Sequence, residues 1–167
     1  MTQIVEIPQP LGLFAGELFD RGIEYLDAFC HLNEGKDRYS FASYFLLAHS
    51  LELLLKSFAV AHGMSKKEAR KAGHRILSIL QVCKGSEMPR VDHLDEFVGE
   101  IARMNSDHDF RYPTGYRLHL PSPALCIPVA RGLIAAVSPT IERARIEARI
   151  DFHGDPALRG KKVRWSD

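Results

Sequence analysis

Cysteine is scarce in this 167-residue chain: Cys30, Cys83 and Cys126 stand far apart, and no Cys-x-x-Cys pair occurs. That scatter excludes a disulfide framework and a Cys-based zinc knuckle, and it favours free, mostly buried thiols in a reducing cytoplasm. Net charge is nearly absent as well. With 22 Lys and Arg against 21 Asp and Glu, the formal charge is +1, so no global field draws the protein to DNA or an anionic membrane, and any basic site must be local. There is no glycine-rich phosphate loop, no nucleophile elbow and no His-Glu-x-x-His. The opening residues MTQIVEIPQP lack the basic and apolar regions of a secretory signal. No run alternates with period two well enough to announce a strand.

What is present is apolar residue at helical spacing. Hydrophobic residues make up 46% and charged residues 26% of the chain, the balance of a globular protein long enough to bury a core. Residues 11–33 place Leu11, Phe14, Leu18, Tyr25, Leu26 and Phe29 at three- and four-residue steps, and residues 38–62 form a longer apolar run closed by Gly63. Ser65 followed by Glu68 has the form of a capping box opening a short helix. HRILSILQVCK continues as another helix, and VDHLDEFVGEIARMN sets Leu94, Phe97, Val98 and Ile101 on one face. Residues 106–128 hold four prolines and a glycine and read as extended or looped. A last helix is expected over about 129–150, with Ser138-Pro139 kinking or restarting it. The expectation is an all-α bundle of about five helices, mostly antiparallel, with a long Pro-rich loop before the last helix. It forms a single domain over 1–150, with a polar, basic tail over 151–167.

The most apolar segment, FASYFLLAHSLELLLKSFAVAHG at 41–63, carries His49, Glu52 and Lys56. At about 100° per residue these three fall within an arc of roughly 60°. Apolar residues flank that arc on both sides, so the helix is expected to be central and to touch several neighbours. Three charged or polar groups and three serines inside the segment weigh against a membrane span. One reading makes Glu52 and Lys56 an ordinary i,i+4 pair with a locally satisfied histidine. The other makes the arc one wall of a cleft able to handle protons or anions.

AHSLELLLKSFAVAHG, then SKKEARKAGHRILSIL, then IARMNSDHDFRYP resemble bacterial proteins of the HEPN superfamily. The shared pattern is a long helix of the form His-x-hydrophobic-Glu-Leu-hydrophobic-Leu-Lys, a Gly-His opening the next helix, an Asn-bearing helix end and an Arg-Tyr-Pro loop. It spans residues 38–113. The resemblance implies a compact helical bundle, commonly a homodimer, that binds nucleotide or RNA. Some such proteins are metal-independent endoribonucleases, toxins or defence factors, and others are inert interaction or regulatory modules, with an antitoxin or regulatory protein as partner. It also implies ligand-binding roles for His49, Glu52, Lys56, His74, Asn105, Arg111 and Tyr112. No cofactor is implied, and a cytoplasmic location without membrane attachment is expected.

The ribonuclease branch uses Arg-x4-6-His, and Arg103-Met-Asn-Ser-Asp-His108 matches. The histidine would move protons around the 2′-hydroxyl and the leaving group while the arginine stabilises charge on the phosphate. Met104 departs from the polar residue usual there, and with 14 Arg and 8 His in the chain roughly two such spacings arise by chance. In the loop HDFRYPTGYR, Arg111 and Arg117 interleave with Phe110, Tyr112 and Tyr116, offering guanidinium to phosphate and rings to bases. Alternatively, the aromatics plug the bundle while the arginines pair with acids such as Glu52. The tail residues Arg159, Lys161, Lys162, Arg164 and Trp165 are a further basic set, of a kind usually solvated at a terminus. Metal chemistry is the competing reading, but no Glu-x-x-His occurs. His49-x-x-Glu52 has the reverse order, Asp27 with His31 is an isolated pair, and no metal site is expected.

Overall fold

A computed structural model describes residues 4–35, 39–113 and 115–166. The chain is mostly helical, at 69%. In order, it runs through strand β1 (Ile4–Pro8), helices α1 (Leu11–Glu34), α2 (Ser40–Ala61), α3 (Lys66–Ala72), α4 (Ile76–Gly85), α5 (Leu94–Met104) and α6 (Pro123–Gly154), a 3₁₀ turn (Pro156–Leu158) and strand β2 (Lys162–Ser166). Among the described residues six helices thus stand where about five were expected; residue 38, the expected start of the second, lies outside them.

Helix α2 is the core element. Leu47, Leu51, Leu54, Leu55 and Phe58 are each at most 1% exposed, and burial of such a side chain contributes about 1.5–3 kcal/mol. The helix packs against α1, α3, α4, α5 and α6, which is why its apolar residues occupy more than one face. By length and mean hydropathy α2 and α6 would each suffice to cross a bilayer, and 78% of the most apolar part of α2 is buried within the protein. The corresponding part of α6 is 28% buried; along the whole helix, Leu125, Ile146 and Ile150 are exposed.

Close helix approaches are built on small residues. Ser50 Oγ on α2 donates to the Gly22 carbonyl of α1 at 2.6 Å, and a Cβ on Gly22 would meet Leu54 at 2.9 Å. Where α1 meets α6, Arg145 Nη2 donates to the Gly16 carbonyl at 2.7 Å and to Asp20 at 2.8 Å. The short helix α3 forms because Ser65 and Glu68 make the reciprocal capping box that their spacing predicts. All three cysteines are free, Cys83 and Cys126 buried and Cys30 partly so.

Three expectations need correction. Residues 4–8 and 162–166 are strands, paired in parallel with Ile4 opposite Lys162 and Pro8 opposite Ser166. Arg159, Lys161, Lys162 and Arg164 are exposed, as expected of a solvated tail; Arg164 pairs with Glu6 at 3.3 Å, and Trp165 packs on Phe152 with centroids 5.2 Å apart. The last helix begins six residues before 129, at Pro123, where Ser122 Oγ accepts from the Ala124 N–H and proline suits a position whose own N–H has no helical partner. It then runs unbroken through Pro128 and Pro139, each of which removes one i→i−4 hydrogen bond. Packing against α1, α2 and α5 holds the helix together across both.

Candidate functional site

The polar arc of α2 is not on open solvent. Glu52 is 5% and Lys56 8% exposed, and Lys56 Nζ donates to Glu52 Oε1 at 2.6 Å. Oε2, the second oxygen, faces the turn between α3 and α4. There Gly73 takes a left-handed φ of 57° with open space where a side chain would be, and His74 Nδ1 comes to 2.7 Å from Oε2. His49 Nδ1 lies 3.6 Å from Oε2, too far for a hydrogen bond, and this buried atom has no hydrogen-bond partner. Its ring is fixed by an edge-on contact with Tyr25 at 4.7 Å and by stacking on Phe45 at 6.1 Å.

Burial pushes the Glu52 carboxyl up, but the hydrogen bonds from Lys56 and His74, the nearby His49 ring and the charge of Lys56 outweigh it and bring the pKa down to about 2. Glu52 is thus ionised at neutral pH and only accepts, so the proton of the short contact sits on His74 Nδ1.

The connection from α5 to α6 closes the other side. Phe110 is 4% exposed, packs against Tyr44 with centroids 6.2 Å apart, and donates its N–H to Asn105 Oδ1 at 3.4 Å. Tyr44 in turn donates its hydroxyl to the Pro121 carbonyl, tying the proline-rich segment to α2. His108 adopts a left-handed φ of 62°, a conformation that costs a side chain of this size about 1 kcal/mol. It turns the chain so that Arg111 follows, with its guanidinium 4.9 Å from the Phe45 ring centre. The His108 ring stands 6.4 Å from that of His74.

These segments enclose one cleft of about 490 Å³, lined among others by His49, Glu52, His74, Asn105, His108 and Arg111. Six of the nine residues expected at a site from the sequence therefore meet. Lys56 lies behind the wall, bonded to Glu52. Arg103 is exposed on α5 and Tyr112 is 65% exposed, and neither lines the cleft. The Arg103–His108 spacing thus contributes one cleft residue. In the loop Phe110 plugs the core, while Arg111 stacks on Phe45 and leaves Glu52 to Lys56 and His74. Phe45, Arg75, Ser78 and Ser106 also line the cleft and were not anticipated. Phe45 sits one turn before His49 on the same face, so helical spacing alone could have found it; the other three carry no local signal.

Metal ligation also looks different in three dimensions. One ligand atom each from His49, Glu52 and His74 lies within 4.8 Å of the others, an arrangement hidden in the sequence because His74 comes from another segment. Comparison of the chain with protein-family models, curated proteins and solved structures returns no significant match.

Proposed function

We propose that the cleft binds the phosphate group of a nucleotide or of RNA. The observation that carries this reading is Arg111 on the wall of a concave site also lined by Arg75, whose guanidinium donates to the Ala72 and Lys71 carbonyls. Glu52, the one carboxylate among the described lining residues, is already paired with Lys56. With all histidines neutral the site keeps an excess of positive charge, and His74, His108, Asn105, Ser78 and Ser106 add hydrogen-bonding groups. A volume near 490 Å³ falls within the roughly 300–1,000 Å³ of small-ligand sites. The resemblance of residues 38–113 to the HEPN superfamily, with its bundle of helices and nucleotide or RNA ligands, supports the same reading.

The test is calorimetric titration, in EDTA, with a mononucleotide, its nucleoside and a short single-stranded RNA. The phosphate-bearing ligands bind and the nucleoside does not, and Arg111→Ala weakens the binding at least about tenfold through loss of a charge-assisted contact. Equal binding of nucleotide and nucleoside, or binding of neither nucleotide nor RNA, overturns the reading.

A further inference from the structure

We propose that His49, Glu52 and His74 form a three-ligand site for a divalent first-row transition metal of the zinc class, open toward the cleft. The proposal rests on the phosphate reading only for what completes the coordination; the ligand set stands on its own geometry.

Three observations carry it. The donor set is two imidazoles and one carboxylate, which suits zinc-like ions and is poorly matched to magnesium or calcium, which favour oxygen donors. The donor atoms are close to where a shared ion needs them. Metal–ligand bonds of about 2.0–2.2 Å put neighbouring donors about 3–3.5 Å apart. Here Oε2 lies 2.7 Å from His74 Nδ1 and 3.6 Å from His49 Nδ1, with all three ligand atoms inside 4.8 Å. The third observation is the orphaned His49 Nδ1. A buried polar atom without a partner, on a ring held by Tyr25 and Phe45, calls for a ligand.

Lys56 has a definite role in this arrangement. Holding Oε1 at 2.6 Å, it leaves only Oε2 for the ion and fixes the carboxylate plane, as outer hydrogen bonds do around bound metals. It also takes a share of the negative charge, so affinity is expected to fall below that of a site with a free carboxylate. Binding displaces the proton from His74 Nδ1, and Nε2 carries the ring proton instead, so the imidazole binds as the neutral tautomer. Three protein ligands leave at least one coordination position open, and Arg75 and Arg111 on the cleft wall favour an anion there. A phosphate oxygen fits that position.

Chelator-treated full-length protein is titrated with Zn²⁺ by calorimetry and with Co²⁺ by visible absorption. One ion binds per chain, Co²⁺ develops ligand-field bands, and His49→Ala and His74→Ala each weaken Zn²⁺ at least tenfold. Exposed His31→Ala changes nothing. Circular dichroism confirms that each variant is folded, and if His49→Ala is not, His74→Ala with its half-exposed side chain decides alone. Failure to bind either ion, or equal affinity in His74→Ala, overturns the site. Nucleotide binding in EDTA with no metal binding would overturn this inference and leave the phosphate reading intact. Metal binding without nucleotide binding would do the reverse.

Discussion

Glu52 and His74 stand 22 residues apart in the chain and 2.7 Å apart in space, carboxylate Oε2 to imidazole Nδ1. The contact joins the central helix to the α3–α4 turn, and Lys56 on the other oxygen makes the carboxylate the hub of a buried network. Such a hub is costly to leave half-satisfied.

Removing Lys56 strands that charge. Lys56→Met is expected to destabilise the fold by about 3 kcal/mol, the scale seen when one member of a buried pair is deleted. Combining it with Glu52→Gln restores part of the loss, because the cost lies in the uncompensated carboxylate and an amide tolerates burial better. Urea unfolding of the two single variants and the double variant measures this coupling. A Lys56→Met loss under about 0.5 kcal/mol would mean the pair is solvated and contributes as an ordinary surface bridge does.

The same network sets an acid limit. Burial works against the Glu52 carboxylate, but Lys56 and His74 bonded to it and His49 beside it lower the folded-state pKa from 4.5 to about 2. A lowered folded pKa means the stabilisation is fully present above about 4.5 and is lost as pH falls from there toward 2. The amount is on the order of 3 kcal/mol. Measured in EDTA, wild type should lose stability through that window more steeply than Glu52→Gln. Parallel curves for the two proteins would show that Glu52 does not titrate in this way.

The residues that form the site were legible in proportion to how local their signal is. His49, Glu52 and Lys56 share one helix, so a wheel places them on one arc. Ser65 and Glu68 make their capping box for the same reason: the whole interaction fits inside four residues. His74, Asn105 and Arg111 entered through a family resemblance, since nothing in their spacing says that the α3–α4 turn and the α5–α6 connection meet α2. Arg75 and Ser78 lacked even that. The β1–β2 pair was missed because its five-residue strands are half of the hydrogen-bonding evidence each, and the other half lies over 150 residues away, Ile4 against Lys162. Pro128 and Pro139 misled in the opposite sense. Proline disfavours a helix interior locally, and tertiary packing along α6 overrode it twice.

Helices α1 and α6 pack closely where they cross. A Cβ on Gly12 would lie 2.1 Å from the Ala144 carbonyl oxygen and 2.9 Å from the Ala148 Cβ. Both neighbours are firmly held, so Gly12→Ala must push the two helices apart. Alanine's better helix propensity recovers up to about 1 kcal/mol, against an overpacking cost of about 1–3 kcal/mol or more. The net expectation is a loss, read as a Tm lower by about 2–8 °C for a chain of this size. Gly99, inside α5, is the internal control: nothing lies within 4 Å of its Cβ position. With propensity gained and nothing displaced, Gly99→Ala should raise Tm by about 2–4 °C. The opposite signs separate packing from propensity, because both substitutions change the same residue type inside a helix. If Gly12→Ala also raises Tm, α1 and α6 do not cross as closely as the Gly12–Ala144 contact requires.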